Sequence, residues 1–163
     1  MTRYALLTLA LVMPLSSASA QAKKHGAART VSVFLPDQIT WGQAPAMLPA
    51  GAKLAVLEGD PTKAAAFTIR LLMPDGFQIP PHFHPAPEHV TVVSGALMVG
   101  MGDKFDESQM NTLPAGTFGL IPPGMHHFAK AKGETVLQLH GIGPWRLVYV
   151  NKADDPRRKI AAR

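Results

Sequence analysis

The chain predicts a single all-β domain of sandwich or barrel type, and three observations carry that expectation. Its apolar residues fall mostly in short alternating runs rather than in helix-periodic stretches. Pro and Gly punctuate those runs, with 15 Pro and 14 Gly in 163 residues. A hydrophobic fraction of 47% over that length suffices for one sizeable core and leaves no room for a second domain.

In chain order, residues 1–20 read as an export signal. Arg3 supplies the charged start, Ala5 to Leu15 the apolar stretch, and Ala18-Ser19-Ala20 a small-residue cleavage site. The apolar stretch is too short for a membrane span, so the mature chain is expected in the periplasm or secreted, with no membrane-spanning segment left after cleavage. Residues 21–30, rich in Ala, Lys and Gly, are expected as a flexible lead-in to a domain over 31–152. Strands are expected at 53–58 and 67–73, divided by the turn Gly59-Asp60-Pro61. Pro74-Asp75-Gly76 turns into a strand at 78–84. The next strand, 88–94, is expected to form a hairpin through Ser94-Gly95 with Ala96 to Met101. Asp103 to Met110 reads as a loop or short helical turn. Further strands are expected at 117–121, 126–131, 134–140 and 145–150, with turns at Pro122-Pro123-Gly124 and Lys132-Gly133. Residues 153–163 are expected as a solvated basic tail.

The densest chemistry lies between Gly76 and Gly95, in GFQIPPHFHPAPEHVTVVSG. Side chains two apart on a strand share a face, so His82 and His84 project together while Phe83 points away. Pro85 and Pro87 interrupt that strand, and Glu88 starts the next one, where its carboxylate can return beside the imidazoles. A second histidine source follows the Pro122-Pro123-Gly124 turn. His126 and His127 are neighbours, so on a regular strand only one of them faces inward, and a bulge would exchange them.

These two segments resemble the motifs of the cupin superfamily. The family's first motif reads Gly, five residues, His-x-His, three or four residues, Glu, six residues, Gly, and this chain fits it throughout. Its second motif maps onto Gly116, Pro122, Gly124 and His127, and departs from the pattern only at Ala131, where Asn is usual. The resemblance implies a double-stranded β-helix, the cupin jelly-roll barrel. It also implies a divalent transition metal (Fe, Mn, Ni, Cu or Zn) held by His82, His84, Glu88 and His127. Glu88 is expected as a ligand or as a catalytic base beside the ion. Strand-edge pairing of cupins implies a homodimer as a further expectation.

His89, next to Glu88, is expected to face away from the barrel. Gln138 and His140 share a strand face and either line the pocket or lie on a half-exposed sheet. Arg70 and Arg146 offer charge for an acidic substrate if they point inward. The segments Gly59-Asp60-Pro61 and Gly141-Ile142-Gly143-Pro144-Trp145 look like those of small exported cupins and of the cupin part of zinc-dependent anti-sigma factors.

Composition narrows the chemistry. The chain has no Cys, which excludes thiol nucleophiles, iron–sulfur clusters and Cys-type zinc sites and leaves nitrogen and oxygen as metal donors. The net charge of +5 is concentrated in the termini, because Val31 to Val150 carries seven Lys and Arg against nine Asp and Glu. A nucleic-acid partner is therefore not expected. Three imidazoles and a carboxylate leave two positions open on a six-coordinate ion, which suits a substrate and dioxygen. Cupins of this ligand type include dioxygenases as well as isomerases and decarboxylases, and the function that the resemblance implies here is a metal-binding cupin acting as a dioxygenase-type enzyme on a small organic substrate, an enol, diketone or aromatic compound. The alternative is a non-catalytic cupin that binds or senses a metal or small ligand.

Overall fold

The structure is a computed structural model that describes residues 31–161. The expected export signal over 1–20 and the lead-in at 21–30 lie outside the described residues. The chain divides into Met1–Val33 and Phe34–Arg163, and the sheet belongs to the second unit. Among the described residues no helix is long and apolar enough to cross a membrane.

The strands are β1 (Gly42–Gln43), β2 (Lys53–Gly59), β3 (Ala66–Met73), β4 (Gln78–Phe83), β5 (Glu88–Met101), β6 (Asn111–Pro114), β7 (Phe118–Ile121), β8 (His127–Ile142) and β9 (Val148–Tyr149). All join one antiparallel sheet that curls on itself, as the all-β expectation required. The long strand β8 organises it. One edge of β8 pairs with β5 over most of its length; the other pairs with β3 through residues 135–142 and with β4 through 127–130.

Two expected turns are instead bends inside single strands. Ser94-Gly95 does not close a hairpin: β5 runs through it, with Gly95 at φ 72° and shifts of register against β8 on both sides. Lys132-Gly133 likewise lies within β8, with Gly133 at φ 72°. In each case a left-handed glycine inserts a bulge that sharpens the twist, and the two halves of one strand can then serve two parts of the curl. The strand expected at 145–150 is confined to Val148–Tyr149, and β6 adds a short edge strand that the sequence pattern did not suggest. Residues expected as a solvated tail include a 3-10 turn at Lys152–Asp154 and the short helix α1 (Pro156–Ala161). Upstream of α1, Asp155 accepts from the Arg157 guanidinium at 2.7 Å.

Alternation fills the inside of the curl. Phe67, Ile69, Leu71 and Met73 of β3, Val90 and Val92 of β5, and Leu137 and Leu139 of β8 are all buried in one cluster. Each such aliphatic side chain contributes about 1.5–3 kcal/mol on burial. The same parity carries the site residues inward at the β4 end of β8, where His82 pairs directly with His127.

Candidate metal centre

β4 delivers His82 from its last turn of pleat and His84 from just beyond its end, and the start of β8 delivers His127. The three rings are buried at 2%, 5% and 3% exposure. His82 lies 4.2 Å from His127 and 5.2 Å from His84 by ring centroid. One ring nitrogen from each comes within 4.8 Å of the others, a grouping able to hold a metal ion.

The backbone decides which nitrogens converge. His82 Nδ1 lies 2.7 Å from the Pro80 carbonyl, His84 Nδ1 2.7 Å from the Arg146 carbonyl, and His127 Nδ1 3.0 Å from the Met125 carbonyl. A carbonyl oxygen can only accept, so each Nδ1 is the N–H donor and each Nε2 presents a lone pair. Fixing all three tautomers by hydrogen bonds from behind is the arrangement that orients imidazoles toward a metal.

Glu88 opens β5 beside them. Its Oε2 lies 3.4 Å from both His84 Nε2 and His127 Nε2, and the side chain is 12% exposed. His84 Nε2 is shielded from solvent and has no hydrogen-bond partner. Lone pairs and a carboxylate oxygen facing at that distance repel unless a proton or metal cation lies between them. Donors bound about 2.0–2.2 Å from one ion stand roughly 3.0–3.4 Å apart, so the Glu88 contacts have the spacing of a shared coordination shell. The orphaned nitrogen and the donor set thus fit a divalent transition ion.

The electrostatics agree. Burial first, then the neighbouring His127 and His84, pushes His82 down to about 3. Burial also lowers His84, partly offset by Glu88 and the Arg146 carbonyl. These two imidazoles are therefore neutral near pH 7, as metal ligation requires. Burial on its own raises the Glu88 carboxyl, but the contact with His127 and the adjoining imidazoles outweigh it and leave the group below its usual value. It stays ionised.

Above the cluster opens a cavity of about 140 Å³, walled by side chains such as Leu71, Ile79, Val90, Leu137 and Leu147. Its wall also includes the three histidines, Glu88 and Trp145.

The other candidates point elsewhere. His126 faces the rim, with Nδ1 2.6 Å from Asp103 Oδ1 and its ring stacked on Phe83. His89 turns to the outer face and stacks on His140 at 4.9 Å. Gln138 accepts from Arg70 Nε at 3.2 Å, which occupies both outside the cavity, and His140 is likewise absent from its wall but lines a smaller void of about 20 Å³ beside His84 and Glu88. Arg146 matters through its carbonyl, which holds His84. Backbone acceptors at Pro80, Met125 and Arg146 left no trace in the sequence, because every residue carries one.

Comparison with known proteins follows the same line. The model of a family described as "Domain of unknown function (DUF4437)" matches residues 57–155. The polyketide cyclase RemF from Streptomyces resistomycificus superposes with a TM-score of 0.63 at 14% identity, over 81% of this chain and 94% of its own. An acetylacetone dioxygenase from Acinetobacter johnsonii gives 0.58 at 18% identity, over 82% and 85%. An RmlC-like cupin from Shewanella frigidimarina gives 0.51 at 17% identity, over 68% and 89%. At such identities the likeness establishes the cupin jelly-roll fold and nothing of the chemistry. No curated protein matches the chain by sequence.

Proposed function

The chain belongs to the DUF4437 family, a cupin-like family, and on that premise we propose that it is a metal-dependent dioxygenase-type enzyme acting on a small enol, diketone or aromatic compound. The observation that carries this is the convergence of three Nε2 lone pairs and the Glu88 carboxylate at the floor of an apolar cavity. His82, His84 and His127 would hold the ion, with Glu88 beside them as a fourth ligand or as the base. An ion bound there would supply coordination positions for a substrate oxygen and for dioxygen, and a redox-active ion would relay electrons from the substrate to dioxygen.

The chain's own groups do the rest. Glu88, ionised and next to the cluster, accepts the proton that an enol hydroxyl or the carbon between two carbonyls gives up on binding. The aliphatic walls exclude water from the resulting anion, which would strengthen its attraction to an ion held by the three histidines. The carbonyls behind each imidazole keep the rings from turning during turnover. Cleavage of a carbon–carbon bond with both oxygen atoms of O2 entering the products needs no outside electron donor, so no second cofactor site is required.

Size supports the substrate class. An apolar cavity of about 150 Å³ in another protein takes up benzene, and the cavity here is comparable at about 140 Å³. The acetylacetone dioxygenase of similar fold is named for a diketone of that scale.

The test is to purify the protein without a His-tag, determine bound metals by elemental analysis, and follow oxygen uptake over diketones and dihydroxyaromatics. Metal-dependent uptake with stoichiometric product is the expected result. Stoichiometric metal with no turnover of any compound would instead favour a cupin that binds or senses without catalysis.

A further inference from the structure

The cavity beside the histidine cluster has a mouth, and the exposure of its wall residues locates it. Among the residues that line the cavity only Met101 and Leu120 are exposed, at 51% and 56%; the others are buried or half-buried. Leu120 pairs across the sheet with His89 of the outer face, so its side chain points away from the cavity. Met101 is the opposite case. It ends β5 and pairs directly with His127 of β8, and residues directly opposite in an antiparallel pair share a face. His127 is turned toward the cluster, so Met101 is turned the same way, yet half of its surface meets solvent.

Packing fixes this register. Leu97 and Val99, at alternate positions before Met101, belong to the core, and the ladder against β8 runs without a shift from Ala96 to Met101. Gly100 faces the other side, where Phe128 lies so close that a Cβ would stand 2.3 Å from its ring. A slip of one residue would drive a larger side chain into that ring. The chain beyond Met101 is tied down as well. Gly102 N–H donates to the His126 carbonyl at 2.9 Å, and Asp103 Oδ1 lies 2.6 Å from His126 Nδ1. His126, which points away from the cluster, thus latches the turn after β5 and holds Met101 beside His127.

Met101 therefore stands between solvent and the nitrogen lone pairs. Its side chain is unbranched and turns about several bonds, so it yields to a narrow molecule at little cost, whereas a wide one must displace it. We propose that Met101 is a specificity-determining residue at the mouth of the cavity, limiting the width of the molecules that reach the metal position. The inference rests on the metal-centre reading above. It narrows the ligand class to compact molecules about the size of benzene, which a cavity of about 140 Å³ can enclose, and excludes those that carry a further ring on the metal-binding group.

The experiment uses the cobalt-loaded protein, whose visible absorption reports ligands on the ion, with azide, imidazole and 4-phenylimidazole as probes of increasing width. Each affinity is read relative to azide, which is slim enough to pass either side chain. Wild-type protein should bind imidazole about tenfold or more tightly than 4-phenylimidazole. Met101→Ala, which removes the sulfur and the two carbons bonded to it, should abolish most of that difference. Met101→Trp should weaken imidazole about tenfold. A preference for imidazole over 4-phenylimidazole that stays within about twofold of wild type in Met101→Ala, or imidazole binding that ignores Met101→Trp, overturns the role of Met101. None of these probes is a diketone or an oxygenase substrate, so the result is independent of the proposed reaction, which oxygen uptake tests separately. Failure of azide to bind the cobalt-loaded protein overturns the open position that the mouth serves, and failure to take up cobalt overturns the metal centre itself.

Discussion

Replacing Gly143 with alanine tests whether the clasp between the 61–65 turn and the 143–147 strap holds the site in shape. The new Cβ would lie 2.3 Å from the Lys63 carbonyl oxygen, where ordinary contact begins near 3.4 Å, so turn and strap must separate by about 1 Å. Overpacking of this kind costs about 1–3 kcal/mol. Separation also stretches the bonds from Gly143 N to Ala65 O and from Trp145 N to Pro61 O, each worth about 1 kcal/mol. Alanine restricts the unfolded chain and returns up to about 1 kcal/mol, too little to reverse the sign. A net loss of about 2–4 kcal/mol in a domain of this size lowers Tm by roughly 10 °C. Because Arg146 moves with the strap and its carbonyl orients His84, zinc affinity should fall about tenfold as well. Circular-dichroism melts and a chelator competition measure the two effects. A Tm within about 2 °C of wild type with unchanged zinc affinity would refute the clasp as a constraint on the site.

Three further outcomes are expected. His127→Ala should abolish stoichiometric metal, whereas His126→Ala, whose ring pairs with Asp103 at the rim, should leave metal content intact; elemental analysis of both variants decides. The metal-free protein should lose stability as pH falls from about 6.5 toward 3. His82 titrates near 3 when folded and near 6.5 when unfolded, so the unfolded chain binds the extra proton across that window, steepening the fall by about 1.4 kcal/mol per pH unit. Glu88, also depressed, adds in the same direction below its ordinary value, and urea melts across that range would show the slope. Gly95→Ala should destabilise by about 2–4 kcal/mol, since residue 95 sits at φ 72° and its Cβ would come 2.3 Å from the Glu134 carbonyl oxygen; an unaffected melt would mean that the bulge in β5 relaxes freely.

What the sequence made legible is what obeys alternation or a fixed spacing. The shared face of His82 and His84 follows from period two, and the antiparallel β architecture follows from short runs between Pro and Gly. Ser94-Gly95 and Lys132-Gly133 have the sequence of turns because a left-handed glycine serves a hairpin and a bulge equally well. Only the long-range pairing of β5 with β8 distinguishes them. Parity put Gln138 and His140 on one face but could not say which, since that depends on whether Leu137 and Leu139 or their neighbours meet the core. Trp145 is legible in the sequence only as the end of the Gly141-to-Trp145 segment. It lies on an irregular strap where no periodicity applies, and the unpaired state of its N–H exists only once the fold surrounds it.

The most direct measurement is the position of the ion in a crystal of the metal-loaded protein, located by anomalous scattering. The peak should lie about 2.0–2.2 Å from Nε2 of His82, His84 and His127, with a Glu88 oxygen bound to the ion or facing it. A peak ligated through Nδ1, one that engages His126, or full loading at a place remote from these three rings would contradict the account.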